Sequence, residues 1–309
     1  MNQSANNPAE ALASPSQHNS RSTTVIICTR HRPALLKQCL AAVSRLTHAP
    51  DRVLVVDNSE GNADTRKVAG DYRADYVIEP IAGLSRARNR GITECSTHIV
   101  AFLDDDVVPE PDWLGLLMAP FADQQVGATT GRVITPDPMP PTPDQLIART
   151  LSNEDLHWFE IATFGGMGLG ANMALRKQAC ADRRFFDERL GRGAPFEIGE
   201  ESYAFALLLS RGYRIAYIPS AVVHHPPLTR ASIEHEAETS FSYWLLLFST
   251  FPRQRIDLLG FLIRRLRRKP LDWPRFPQGP GEIMSSGWPL KVKAAWKGLL
   301  LFLRTPNPH

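Results

Sequence analysis

The sequence predicts an α/β fold, with a mainly parallel central sheet flanked by helices and a C-terminal set of basic amphipathic helices. Three observations carry this expectation. Short β-branched runs recur along the first half of the chain, and the segments between them place apolar residues at helical spacing. Several of the runs also end abruptly in polar residues, as buried strands do where they empty into loops. Strands that alternate with helices in this way argue for βαβ units and a parallel sheet.

Taken in order, Thr23-Thr24-Val25-Ile26-Ile27-Cys28 reads as the first strand. Pro33 suits a first helical turn, and Leu35, Leu36, Leu40, Val43 and Leu46 follow at helical spacing. Arg52 to Asp57 is a second strand, residues 63–72 a helix, Tyr76 to Ile78 a short strand and residues 84–95 a helix. His98 to Leu103 is then a buried strand running into Asp104-Asp105-Asp106. Val126 to Val133 reads as a strand, Pro136 to Pro143 as a proline-rich loop, and Leu151 to Phe164 as either helical or extended. Gly165 to Asn172 is glycine-rich, but it lacks the dinucleotide-binding register and follows no obvious strand. Close approach of its backbone to a ligand and a plain loop both remain open. Glu200 and Glu201 open an apolar helix ending before Gly212, and Tyr213 to Ile218 is a strand after which His224 and His225 follow a short apolar run.

The aspartate triplet is the most informative local feature. Side chains alternate faces in extended backbone, so Asp104 and Asp106 point one way and Asp105 another. Two co-directed carboxylates at a strand end can hold a hard cation, and a histidine near them, His224 or His225, can complete the site. An acidic, solvated turn accounts for the same triplet. Asp57 likewise serves either a ligand crevice beyond the strand ends or the cap of the following segment. Carboxylates at a helix start are favoured by its dipole, which alone accounts for Glu200 and Glu201.

At 309 residues, 43% hydrophobic and 22% charged, the composition is that of a globular chain with a sizeable core. Residues 1–22, rich in Ser, Asn, Ala and Pro and without a signal-peptide core, are expected to be a disordered leader. Cys28, Cys39, Cys95 and Cys180 show no metal or disulfide spacing, which suits a reducing cytoplasm. No run reaches the ~20 apolar residues of a membrane-spanning helix. From Phe251 to the C-terminus twelve Lys and Arg face three acids, so this segment is +9 in a chain of net +3. Ile256, Leu259, Leu262, Ile263 and Leu266 recur at helical spacing beside Arg264, Arg265, Arg267 and Arg268, and Leu299 to Leu303 follows Lys291, Lys293 and Lys297. Such helices either lie on an anionic membrane surface or pack on the domain with their charges solvated.

Seven pieces in order resemble glycosyltransferase family 2, whose members share the GT-A nucleotide-sugar fold: Val25 to Pro33, Val55 to Ser59, Gly83 to Gly91, Phe102 to Asp106 with Pro109 and Trp113, Gly170 to Met173, Gly199-Glu200-Glu201, and Gly212 to His225. The resemblance implies a Rossmann-like GT-A catalytic domain over 23–228, with a nucleotide-sugar-binding half at 23–125, an acceptor-binding half at 126–228, and a helical basic extension at 229–309. It implies that Thr29 and Asp57 contact the nucleotide base, that Arg88 and Arg32 lie near base or phosphates, and that Asp104 and Asp105 sit by the ribose and metal. Asp106 would be the principal ligand of Mg²⁺ or Mn²⁺, with Asp104 and His225 beside it. Asn172 and Glu200 would face the acceptor, and Glu201 would be the catalytic base, although the pair Glu200-Glu201 replaces the commoner Glu-Asp and leaves the base divided between the two. The implied reaction is inverting transfer of a sugar from a nucleoside diphosphate, UDP favoured, to a saccharide or lipid-linked hydroxyl in surface polysaccharide or glycolipid synthesis. A nucleotide-sugar binder without turnover is the main rival. An anionic-polymer binder using the basic tail is weaker, because no nucleic-acid motif or interleaved aromatic platform accompanies it.

Overall fold

The computed structural model describes residues 22–136, 143–182, 184–227, 233–266 and 288–306. Its first half follows the alternation of the sequence. Strands β1 (Thr23–Thr29), β2 (Arg52–Asp57), β3 (Asp75–Ile78) and β4 (Ile99–Asp104) are joined by helices α1 (Pro33–Val43), α2 (Ala63–Asp71) and α3 (Leu84–Glu94). Pro33 occupies the first turn of α1, where its missing N–H costs nothing. Asn62 caps α2, its side-chain oxygen accepting from the Thr65 N–H at 2.9 Å. The four strands are mutually parallel in the order β3-β2-β1-β4. Their register sets Thr29 beside Asp57 and Cys28 beside Asp104, so the polar strand ends lie level on one edge.

The second half turns the sheet mixed. After β5 (Val108–Pro109) and α4 (Trp113–Met118) come β6 (Val126–Ile134), β7 (Arg149–Leu151), α5 (Trp158–Thr163), β8 (Asn172–Arg176), α6 (Glu200–Ser210) and β9 (Arg214–His224). The nine-stranded sheet runs β3-β2-β1-β4-β8-β6-β9-β5, with β7 also on β9. Strands β5, β7 and β8 run against the others. The segment at 151–164 is thus partly strand and partly helix. Strand β8 has no counterpart in the sequence reading: it is five residues long and all buried, and its identity comes from pairing on both sides with β4 and β6. Strand β9 is longer than expected, because an irregularity opposite Gly131 and Arg132 lets pairing resume beyond Pro219 and Ser220 as far as His224.

Side chains of each strand divide between two cores. One face carries Ile26, Leu54, Val56, Val100 and Phe102 against Phe185, Phe186 and α6. The other carries Val25, Ile27, Val55, Ala101 and Leu103 against α1 and α4. Three further helices follow: α7 (Ile233–Thr250), α8 (Arg255–Leu266) and α9 (Trp288–Arg304). Tyr243, Leu246 and Leu247 of α7 and Leu258 and Phe261 of α8 are buried in the first core, so these helices pack on the domain. Among the described residues no helix is long and apolar enough to cross a membrane. The expected leader at 1–21, most of the loop at 136–143, and the basic cluster Arg267, Arg268, Lys269 and Arg275 lie outside the described residues.

Asn172 is one fastening between the layers. It is wholly buried, its Oδ1 accepting from the Trp113 indole at 2.8 Å and its Nδ2 donating to the carbonyls of Arg132 and Ala221 at 3.0 and 2.9 Å. Against the expectation that it faces an acceptor, the amide is committed to protein partners on α4, β6 and β9. Truncation strands a buried indole N–H and two carbonyls. Asn172→Ala is expected to lower the unfolding free energy in urea by about 3 kcal/mol with the m-value unchanged.

Candidate functional site

Where β4 ends, the chain turns and its three carboxylates diverge. Asp105 points inward, accepting from the Thr29 hydroxyl at 2.6 Å and from Arg32 Nη1 at 3.2 Å. Burial pushes its carboxyl up to about 6, against the opposing pull of Thr29 and Arg32. Asp104 and Asp106 turn the other way, and one ligand atom from each, with one ring nitrogen of His225, lie within 4.8 Å of one another. Asp105 and Asp106 lie in the turn that follows β4, so this turn, and not the alternation expected of extended backbone, sets their directions.

The three groups present a donor set that a divalent cation satisfies. Asp106 Oδ2 accepts from Arg32 at 3.1 Å, while its Oδ1 is buried without a hydrogen-bond partner and faces His225 Nε2 at 3.5 Å. The Nδ1 of His225 is 2.6 Å from the Pro226 carbonyl, which can only accept, so Nδ1 carries a proton and Nε2 is the ring nitrogen directed at Asp106. A cation between Nε2 and Oδ1, or a proton on Nε2, satisfies both atoms. Two carboxylates and an imidazole suit Mg²⁺ or Mn²⁺. Burial raises the Asp104 carboxyl, and the neighbouring Asp106 charge adds to it while Arg88 opposes.

Behind the aspartates lies a buried cation. Arg88 on α3 is almost fully enclosed, with Nη1 on Glu200 at 2.8 Å and Nη2 on Asp104 at 3.5 Å. The rings of Phe102 and Phe186 flank its guanidinium at 5.9 and 5.6 Å. Burial alone would weaken its proton affinity, but Glu200 and Asp104 more than restore it. The expectation that Arg88 reaches a nucleotide meets a side chain closed off from the cleft and already doubly paired. Gly170 makes this fit: a Cβ there would lie 2.8 to 3.2 Å from the guanidinium. The close approach expected of the glycine-rich segment is thus to the protein's own arginine.

Helix α6 delivers the two glutamates from the far half of the sheet. Gly199 precedes it at φ +78°, and a Cβ there would strike the Tyr243 ring of α7 at 2.7 Å, so only glycine seats the helix start. Glu200 is buried against Arg88. Glu201 keeps partial contact with solvent although it is set deep among protein atoms, and among the described residues it is in no ion pair. Burial, then the Glu200 charge, pushes its carboxyl up to about 8. Burial, with the neighbouring charge, thus leaves Glu201 a proton-holding acid beside a Glu200 that is paired with Arg88.

Asp57 is also spent internally. It is fully buried, with Oδ1 accepting from Ser59 at 2.6 Å and Oδ2 from the Asn62 N–H at 2.9 Å and the Tyr76 hydroxyl at 2.5 Å. The capping alternative describes what is seen, and the carboxylate does not join the Asp104, Asp106 and His225 group. Arg32, expected near base or phosphates, instead bridges Asp105 and Asp106 while keeping 39% of its side chain exposed at the cleft. Tyr243 went unnoticed in the sequence, and the glycine-rich segment gave no sign that Gly170 would meet Arg88, since these partners are remote along the chain.

The family model described as Glycosyl transferase family 2 matches residues 24–183. A succinoglycan biosynthesis protein ExoM from Rhizobium meliloti (strain 1021) is 30% identical over 233 residues, 70% of each chain. An N-acetylglucosaminyltransferase from Rhizobium leguminosarum bv. viciae is 26% identical over 64% of this chain and 49% of its own, so the chain spans about half the length of that relative. Among solved structures, S. aureus TarS 1-349 in complex with UDP-GlcNAc is similar with a TM-score of 0.61 and 14% identity, covering 91% of this chain and 81% of that one. A mannosyltransferase from Pyrobaculum calidifontis in complex with GDP-Man and Mn²⁺ follows at 0.58 and 16%, covering 92% and 75%. At such identities these structures speak to the fold, which is GT-A. The match to the family model and the likeness to ExoM make the chain a member of glycosyl transferase family 2.

Proposed function

We propose that this glycosyltransferase moves a sugar from a nucleoside diphosphate, UDP favoured, to a hydroxyl of a saccharide or lipid-linked acceptor, inverting the anomeric carbon, in surface polysaccharide or glycolipid synthesis. The observation that carries the reading is the convergence of Asp104, Asp106 and His225 within 4.8 Å, joined through Arg88 to the helix start bearing Glu200 and Glu201. The polysaccharide and sugar-transfer names of the relatives support it, as do the nucleotide sugars bound by the similar structures.

Asp106 Oδ1, a carboxylate oxygen of Asp104 and His225 Nε2 would hold Mg²⁺ or Mn²⁺. That ion supplies charge neutralisation for a departing diphosphate. Arg32 holds Asp106 Oδ2, which leaves Oδ1 directed at His225. Glu200 neutralises Arg88 and fixes the start of α6, while Glu201 takes the proton of the acceptor hydroxyl as its oxygen attacks. A carboxyl shifted toward neutrality is a stronger base once ionised. Attack from the face opposite the leaving diphosphate gives inversion in a single displacement.

The direct test is turnover of labelled UDP- and GDP-sugars with Mn²⁺ in the presence of saccharide acceptors. Binding without donor hydrolysis or transfer, with a competent acceptor present, would assign the chain to a non-catalytic binder instead. Glu201→Gln is expected to lower kcat about 10³-fold with donor affinity retained, whereas Glu200→Gln acts through the placement of Arg88 and also weakens donor binding.

The same carboxyl has opposite effects on rate and stability. Because its folded pKa lies near 8, above the model-compound value of 4.5, the folded state holds an extra proton between those limits. Stability therefore declines as pH rises from about 5 to 8 while kcat increases across the upper part of that window. In urea titrations at several pH values, Glu201→Gln should flatten the decline.

Arg32→Met is expected to raise the Mn²⁺ concentration for half-saturation about tenfold, read by Mn²⁺ paramagnetic resonance with UDP present and without turnover. An unchanged Mn²⁺ affinity would remove Arg32 from this positioning role.

A further inference from the structure

Helix α8 divides its apolar residues between two faces. Leu258 and Phe261 are buried, with the Phe261 ring stacked on Phe164 at 4.1 Å, and Arg264 ties the helix to the buried Glu160 at 2.7 Å. Those contacts fasten α8 to the domain. Ile256, Leu259 and Ile263 do not share in them and are 82%, 43% and 48% exposed. At 3.6 residues per turn the three fall within an arc of about 60°, nearly opposite Leu258 and Phe261. Three residues of the apolar face read from the sequence thus point outward, while Leu258 and Phe261, which are outside that set, make the buried contacts.

The surroundings of this stripe give the character of its partner. On α7, Phe241, Trp244 and Phe248 form a half-buried row of stacked rings, 6.4 and 5.3 Å between centroids. Arg255, at the start of α8, lies 4.9 Å over the last of them and donates to the Phe248 carbonyl at 2.9 Å. Arg253 and Arg255 are exposed, and the chain continues Arg264-Arg265-Leu266-Arg267-Arg268-Lys269. Between Phe251 and Pro270 the sole acid is Asp257. An apolar stripe with the exposed Arg253 and Arg255 at its start, beside an aromatic row and followed in sequence by further cations, matches the layering of a bilayer interface, where rings sit at headgroup level and long cations reach lipid phosphates.

We propose that the outward face of α8 docks in the plane of a bilayer bearing anionic lipids, with Ile256, Leu259 and Ile263 entering the acyl boundary. The helix lies on the membrane and does not cross it. Its inner face braces Phe164, the residue after α5, through the stacked Phe261 ring. The proposal stands independently of the transfer reaction.

The test is sedimentation of the full chain with vesicles of phosphatidylcholine alone or mixed equally with phosphatidylglycerol. Binding is expected on the mixed vesicles, weakened by salt. The variant Ile256→Ser/Leu259→Ser/Ile263→Ser should bind about tenfold more weakly with unchanged circular dichroism and melting temperature. A bimane dye on Leu259→Cys should shift to the blue only when mixed vesicles are added. Equal partitioning to both vesicle types, or undiminished binding by the triple variant, overturns the proposal. So does a dye already shielded before vesicles are added, or light scattering that shows the stripe joining two copies of the chain.

Discussion

The structure depends on keeping several carboxylates close together away from bulk water. Asp104, Asp105, Asp106, Glu200 and Glu201 converge on one edge of the sheet, and burial opposes ionisation of those most enclosed. Isolated charges in such a place are prohibitively costly, so each acid is answered by a cation, a hydroxyl or a retained proton. Arg88 answers Asp104 and Glu200, and Arg32 with Thr29 answers Asp105. The remaining deficit is at Asp106 Oδ1, which no protein donor meets. The charge balance thus stays open where Asp104, Asp106 and His225 meet, a donor set that a divalent cation would satisfy.

The sheet makes the convergence possible. Parallel strands bring their carboxyl ends to one edge, and the register that pairs Cys28 with Asp104 and Thr29 with Asp57 brings polar residues from three strands level there. Strand β8 then separates the parallel half from β6 and β9 and runs the opposite way, so its start at Asn172 lies beside the end of β4. That reversal lets the glycine-rich segment preceding β8 pass over Arg88. His225 reaches the aspartates because β9 extends past its irregularity to His224.

Local pattern made the parallel half legible, since β-branched strands, Pro33 and the spacing of leucines are properties of neighbouring residues. The aspartate triplet was legible for the same reason, as a charge cluster closing a buried run, although a turn and not strand alternation orients its second and third members. Partners remote in sequence were not. Nothing near Arg88 announces that Glu200, 112 positions away, will bury it, and nothing near Asn172 announces Trp113 as a donor. Strand β8 is likewise a product of its neighbours on both sides. On α8 periodicity revealed an apolar stripe without telling which face would meet the core, because Leu258 and Phe261 are chosen by the aromatic surface awaiting them.

Much of the candidate chemistry lies beyond the segment that matches the family model, which ends at residue 183. Glu200, Glu201 and His225 come afterwards, and their placement relies on elements later still. Gly199 fits against the Tyr243 ring of α7, whose hydroxyl donates to the Thr163 carbonyl of α5 at 3.2 Å. Phe251 packs edge-on to both Phe159 of α5 and Tyr203 of α6, at 5.1 and 5.7 Å. The start of α6 is therefore clamped between a glycine that admits the ring and an aromatic group that joins α5, α6 and the end of α7. A loosened α7 would act first on Glu201, because the aspartates are held at the end of β4, which is paired on both sides with β1 and β8. The aspartates and the glutamate pair are thus supported by different parts of the chain, although Arg88 joins them in space.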